Sequence, residues 1–527
     1  MLYDAPMLKG ILTVGGWTMA SRVLGFVRDI LIAARLGAGP VADAFFVALQ
    51  LPNLFRRLFG EGAFNAAFIP AFSGTLATQG PQAARDLAER MLALMAVWLS
   101  SLVVLGILLM PQIMALMAPG FAALPDKLAL AVELTRITFP YLLFICLTAL
   151  VSGVLNGLDR FAAAAAAPIF FNLISMAALL GLTPYVATPA HALAWGVTAS
   201  GVVQLGLVLW AAARAGMALR ILRLPTLTPE VRAVLRRMGP GVLGAGVTQL
   251  NVVVGLMIAS ILPAGAVSYL YYADRIAQLP LGVIGAAVGT ALLPLLSRQL
   301  RAGERLSAHR SMNRAVEFAL VLCLPAAVGQ AAAALPLVET LFQRGAFGPS
   351  ETVGTAAALS AYALGLPAFV LVKVFAPGFF ARGDTATPVR IGVATVAVNV
   401  ALNLLLSSWY GHVGVALATT LSAWFNAVML GGTLVKRGQL LPDRRLRRRT
   451  PRLLLAALLM GGALWAGERL LFPVASGPLR LAALALLVGG GAAVYFGAAH
   501  LFRGFDLREF GAILRRRRPP GAAPAAA

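Results

Sequence analysis

Charge is scarce in this sequence. Only 12% of its 527 residues are Asp, Glu, Lys or Arg, just 20 are acidic, and 60% are hydrophobic, with a mean hydropathy of +0.84. A soluble domain carries about twice that share of charge, so water is excluded as the main solvent. The four lysines, Lys9, Lys127, Lys373 and Lys436, include none in a Gly-Lys-Ser/Thr context, which excludes a phosphate-binding loop and internal ATP hydrolysis. His191, His309, His412 and His500 lack any metal-ligand spacing, so no metal site is expected. With no constellation of catalytic groups either, no enzyme activity is expected. The two cysteines, Cys146 and Cys323, fall in the middle of apolar stretches, where each reads as a small buried hydrophobe rather than half of a disulfide.

Long apolar runs are what the chain has instead. A bilayer core needs about 20 predominantly apolar residues per helical crossing, and fourteen stretches between 8–34 and 479–502 supply them. The expected fold class is an all-α integral membrane protein of about 14 transmembrane helices. Arg22, Arg28 and Asp29 in the middle of the first stretch, with no small-residue cleavage site, argue against a removable signal peptide.

The net charge of +23 invites a nucleic-acid reading, which the placement of the cations removes. Of 43 Lys and Arg residues, 31 fall in alternate connecting segments, four in the opposite set and eight inside crossings. By the positive-inside rule the 31 are cytoplasmic and both termini lie inside, which predicts a multi-pass membrane protein with no nucleic-acid partner. The run Arg444-Arg445-Leu446-Arg447-Arg448-Arg449 would also attract anionic headgroups.

A weak internal echo relates the second and eighth crossings. Phe45-Phe46, Leu51-Pro52 and Ile69-Pro70 correspond to Tyr271-Tyr272, Leu279-Pro280 and Leu293-Pro294. An offset of six crossings preserves direction through the membrane, so the repeat is parallel. It predicts two six-helix lobes, 1–220 and 221–440, related by a pseudo-two-fold axis, then a C-terminal helix pair over 441–505 and a basic, disordered tail over 506–527.

The charges inside crossings carry the functional reading. An arginine at the bilayer centre costs about 2.5–3.5 kcal/mol on insertion scales, so each must face protein, water or an anion. Arg22, Arg28, Arg56, Arg57, Arg275 and Lys373 outnumber Asp29, Glu61 and Asp274 there. The excess predicts an anionic substrate, and the planar guanidinium fork suits phosphate oxygens. Ion pairs that merely tie helices together are the plainer alternative, with Arg57–Glu61 and Glu133–Arg136 the best-spaced candidates. Lys373 could also snorkel. Asp43 reads as a turn residue or helix N-cap, or else as a gate contact. Energy is expected from a coupling ion, sodium or proton, or from the membrane potential. Asn399 and Asn403 share a helix face and are assigned to interhelical hydrogen bonding ahead of cation binding.

These residues resemble a known family. Ser21-Arg22-Val23-Leu24-Gly25-Phe26-Val27-Arg28-Asp29, Asp43-Ala44-Phe45-Phe46, Leu51-Pro52-Asn53-Leu54-Phe55-Arg56-Arg57, Glu61-Gly62-Ala63-Phe64, Tyr271-Tyr272-Ala273-Asp274-Arg275 and Lys373-Val374-Phe375-Ala376-Pro377 are similar to the MurJ (MviN) lipid II flippases. The resemblance implies the fold of the multidrug/oligosaccharidyl-lipid/polysaccharide exporter superfamily and transport of lipid II between leaflets for peptidoglycan synthesis. It implies lipid II and membrane lipids as partners, with contacts to the cell-wall synthesis machinery. It also implies a location in the bacterial cytoplasmic membrane and a central cavity whose essential charges match Arg22, Arg28, Asp29, Asp43, Arg56, Arg57 and Arg275; on the charge reading above, Asp43, Glu61, Asp274 and Lys373 are gating residues or charge partners. Rival readings are a flippase for another lipid-linked oligosaccharide, a drug exporter, a membrane glycosyltransferase, and a scaffold of cell-wall synthesis that transports nothing.

Overall fold

The computed structural model describes residues 5–57, 63–220, 225–473, 477 and 479–505. Glu61 and the tail over 506–527 lie outside them. Among the described residues the chain is helical with no strand, and nine helical spans are long and apolar enough to cross a membrane. Large apolar side chains such as Leu108, Leu116 and Trp409 are about 70% exposed, as a multi-pass protein in contact with acyl chains requires.

The first helices are α1 (Ala5–Leu36), α2 (Pro40–Phe55), α3 (Ala63–Gln79), α4 (Pro81–Leu108) and α5 (Met110–Met117). Next come α6 (Pro125–Thr138), α7 (Tyr141–Gly157), α8 (Phe161–Gly181), α9 (Pro189–Arg214) and α10 (Pro229–Ile261). Prolines open α2, α4, α6, α9 and α10, where the missing N–H removes a donor that has no intrahelical partner anyway. The chain continues through α11 (Ala266–Arg301), α12 (Arg305–Ala332), α13 (Ala334–Phe342), α14 (Pro349–Ala363), α15 (Leu366–Phe380), α16 (Ala386–Lys436), α17 (Arg444–Leu471) and α18 (Leu479–Leu501).

Hydropathy runs straight through breaks that the backbone makes. The stretch read as one crossing over 129–156 is interrupted at Phe139 and Pro140, and the one over 352–381 at Leu364 and Gly365. The stretches over 388–408 and 413–435 fall within α16, which turns sharply at Gly411, where φ is 55° and a side chain would be strained. At Arg56 and Arg57 the end of α2 widens to an i→i+5 turn, a local expansion that often marks functional sites.

By internal packing the chain divides into two units. One comprises 1–275, 341–355 and 392–418, and the other 276–340, 356–391 and 419–527. In the first, α9 packs against α7 and α8, with Gly196 close against Ala178 and Ser175 of α8 and Gly201 against Tyr141 and Phe144 of α7, small residues that let helices approach where lipid supplies no hydrophobic drive. In the second, α12 packs against α15 and α17. Its core includes Leu320, Cys323, Val374 and Phe379, and Tyr495 on α18 donates to the Val321 carbonyl at 2.8 Å. Cys146 and Cys323 are both buried and free, as expected.

Glu133, expected to pair with Arg136, pairs with His191 at 3.3 Å, while Arg136 donates to the Ile107 carbonyl. The Glu133 carboxylate thus joins α6 to the first turn of α9. Between α15 and α16, the backbone N–H and hydroxyl of Thr387, then Arg437, hold the Asp384 carboxyl at about 2, below its ordinary 3.8. A depressed carboxylate stabilises above its unfolded value and loses that contribution as pH falls through its folded value. Acid titration of the full chain between about pH 4 and pH 2 should therefore show a loss of stability that Asp384→Asn reduces; an unchanged acid limb in the variant would contradict this.

Candidate anion-binding site

Two guanidinium groups converge on one buried carboxylate. Asp29, 3% exposed on α1, accepts from Arg28 Nη2 at 2.8 Å and Nε at 3.2 Å. Arg275 on α11 brings Nε to 3.5 Å from the other carboxylate oxygen, and the Tyr271 hydroxyl donates at 3.3 Å. That Nε is buried without a hydrogen-bond partner and so remains an unused donor. The half-buried Asp274 carboxylate, next to Arg275 in sequence, is a second acid beside these two cations.

Aromatic faces complete the setting. The Arg28 guanidinium lies 5.0 Å from the Phe171 ring of α8, and that of Arg275 lies 4.6 Å from the Tyr271 ring. Phe46 of α2 stacks on the far side of Tyr271, with centroids 3.8 Å apart and planes at 19°. Ring quadrupoles attract cations by roughly 0.5–2 kcal/mol, which offsets part of the lost hydration while leaving N–H groups free for an anion. Sequence reading missed Phe171 altogether and used Tyr271 and Phe46 as repeat markers and family motif residues, not as partners of the arginines. Their alignment with the arginines was the signal available.

Asp43 forms a second buried node. Its carboxylate, 1% exposed, accepts from Lys127 Nζ at 2.8 Å, the Gly265 N–H at 2.8 Å, the Ser268 N–H at 3.0 Å and the Ser268 hydroxyl at 2.6 Å. Asp43 is not the N-cap of its own helix, since it lies within α2, whose N-cap is Gly39; its carboxylate instead satisfies open N–H groups at the start of α11. Lys127, read in the sequence as an outer-loop charge, is buried here with its ammonium 4.1 Å from the Phe121 ring.

The other expected site residues are less deeply buried than Asp29. Arg22 is exposed on α1 and makes no ion pair among the described residues. Arg56 is half-buried and donates to Asn53 Oδ1 at 3.3 Å, and Arg57 is exposed at the widened turn. Its expected partner Glu61 falls outside the described residues. Asp274 is half-buried beside Arg275 in sequence. Lys373 is exposed on α15, with its stem over Gly285 of α11, where even a Cβ would meet the ammonium at 2.8 Å. Asn403 donates to the Asn399 side chain at 2.7 Å one turn away in α16, a bond within one helix where an interhelical one was expected.

The fold defines a multi-pass membrane protein of the transporter class, with the buried Arg28–Asp29–Arg275 cluster as its candidate site. Comparisons with known proteins narrow the class. The model of the lipid II flippase MurJ family matches residues 32–477. A probable lipid II flippase MurJ of Rhizobium meliloti (strain 1021) is 46% identical over 95% of both chains, and one of Rhizobium tropici is 43% identical over 99% of both. The lipid II flippase MurJ of Burkholderia cenocepacia is 36% identical over 93% of this chain and 96% of its own. Among solved structures, a lipid II flippase MurJ in an inward closed conformation superposes with a TM-score of 0.77 at 23% identity, over 93% of this chain and 98% of that one. An inward-facing MATE transporter of the MOP superfamily gives 0.66 at 14% identity, over 81% and 98%. This chain belongs to the MurJ family of lipid II flippases.

Removing Asp43 would leave Lys127 buried without its carboxylate, a loss that typically costs 3–5 kcal/mol. Asp43→Ala should lower the melting temperature of the purified full chain well below that of Asp43→Ala/Lys127→Met, in which the stranded charge is also gone. Equal melting of the single and double variants would show that the pair does not hold α2, α6 and α11 together.

Proposed function

We propose that this protein carries lipid II, the undecaprenyl-pyrophosphate-linked peptidoglycan precursor, from the inner to the outer leaflet of the bacterial cytoplasmic membrane. Family membership supports the substrate, and the observation that carries the reading is the convergence of the Arg28 and Arg275 guanidinium groups at Asp29, with the buried, unused Nε donor of Arg275. A pyrophosphate supplies the anionic oxygens that such donors bind, each charge-assisted hydrogen bond contributing about 1.5–3 kcal/mol. Asp29 limits the net charge, so that the headgroup is held strongly enough to enter and weakly enough to leave. Arg22, Arg56 and Arg57 extend the cationic path, and the polyprenyl tail stays in lipid.

Transport follows alternating access of the two lobes, 1–220 and 221–440, with the helix pair over 441–505 beside them and both termini cytoplasmic. Asp43 with Lys127 acts as a latch that closes one end of the path, and Lys373 adds a cation for the headgroup. A sodium ion, a proton or the membrane potential drives the cycle, since one charge crossing 100 mV is worth about 2.3 kcal/mol. The released precursor passes to the cell-wall synthesis machinery.

Complementation of a strain depleted of its lipid II flippase tests this. Wild type is expected to restore growth, while well-expressed Arg28→Ala and Arg275→Ala lose roughly 10- to 100-fold in flipping rate and leave lipid II on the inner leaflet, the equivalent of about 1.5–3 kcal/mol. Rescue of growth by both variants at wild-type rates would sink the assignment of the site. Failure of inserted wild type would point to another lipid-linked glycan as the cargo, or to a scaffold role if no lipid-linked glycan is moved.

A further inference from the structure

Five arginines crowd the first turns of α17, and the structure divides them into two sets. Arg445 and Arg449, one turn apart, reach the buried Glu317 carboxylate on α12 at 3.2 and 2.6 Å. Arg314 links Glu317 to Asp443, and Asp443 in turn caps α17 by accepting from the Leu446 N–H at 2.7 Å. This node fixes how α17 is rotated. Its buried face runs through Leu446, Leu453, Ala456, Ala457, Met460 and Leu464 at spacings of one to seven residues that keep to one side.

Arg444, Arg447 and Arg448, three and four residues apart, lie on the opposite face, exposed and without an ion pair among the described residues. The same face continues as Leu455, Leu458 and Leu459, each about half exposed, on a helix long and apolar enough to cross a bilayer. Exposed leucines at that level face acyl chains. Arg448 precedes Leu455 by about 10 Å of helix rise, roughly the step from a headgroup phosphate to the upper acyl chain.

We propose that Arg444, Arg447 and Arg448 form a binding site for the phosphate of an anionic phospholipid, whose acyl chains lie along Leu455, Leu458 and Leu459. A charge run that served only solubility would have no reason to stand in register with the lipid-facing stripe. Here the Glu317 node turns two arginines inward and leaves three above the leucines, where guanidinium forks match phosphate oxygens. On the proposed orientation this lipid belongs to the inner leaflet. Binding at this site is independent of transport and can be tested without it.

Fluorescent phosphatidylglycerol titrated into the detergent-solubilised full chain, with phosphatidylcholine as reference, tests the site. Each charge near an anionic headgroup contributes about fivefold. Arg444→Gln/Arg447→Gln/Arg448→Gln should therefore bind phosphatidylglycerol about 100-fold more weakly with phosphatidylcholine binding and melting temperature unchanged. Arg301→Gln/Arg305→Gln/Arg310→Gln, which removes the same charge elsewhere, should bind as wild type. Equal weakening in both triple variants would reduce the effect to net charge, and no weakening in the first would dispose of the site. Full competition by glycerol phosphate would assign the arginines to a free anion and overturn the lipid reading.

Discussion

An arginine within a hydrocarbon layer is tolerated only when something answers its charge, and in α1 and α11 that something is the Asp29 carboxylate. Arg28 grips it at 2.8 Å from the neighbouring position, while Arg275 approaches from another helix to 3.5 Å. One anion thus lets two cations remain where solvation is poor, and it joins the helices that carry them. The Arg275 Nε, buried without a hydrogen-bond partner, remains an open donor at this junction.

Buried carboxylates recur as structural centres because the chain has so few. With 20 acidic residues against 43 basic ones, each buried acid holds several donors. Asp43 gathers an ammonium, a hydroxyl and two backbone N–H groups, and Glu317 gathers three arginines. Burial strengthens these interactions and also makes a stranded partner costly. A structural role for Asp43 and a gating role are therefore compatible: a latch that is strong when closed must be replaced by other contacts when it opens.

Much of this was legible in the sequence because charge within apolar stretches stands out against a uniform background. Arg28, Asp29 and Arg275 were found that way, as were the helical class and the buried cysteines. What pairs across long separations was not legible. Nothing about Lys127 in sequence indicates Asp43, 84 residues earlier, and Glu133 has Arg136 one turn away yet pairs with His191. Helical spacing permits a contact but does not choose between a neighbour and a distant partner. Backbone breaks at Pro140 and Gly365 were also hidden, since averaging hydropathy over a crossing erases a local interruption. The aromatic faces beside the arginines escaped notice because Phe and Tyr are unremarkable in an apolar helix until a cation is placed against them.

The central claim is that the Arg28 and Arg275 guanidinium groups beside Asp29 select a pyrophosphate. Equilibrium binding of undecaprenyl pyrophosphate and undecaprenyl monophosphate to the purified full chain, for wild type and Arg275→Gln, tests it most directly. The account predicts that wild type prefers the pyrophosphate by at least about tenfold, the equivalent of one charge-assisted hydrogen bond, and that Arg275→Gln loses most of that preference. Equal affinity of wild type for the two lipids, or a preference that survives the substitution intact, would contradict it.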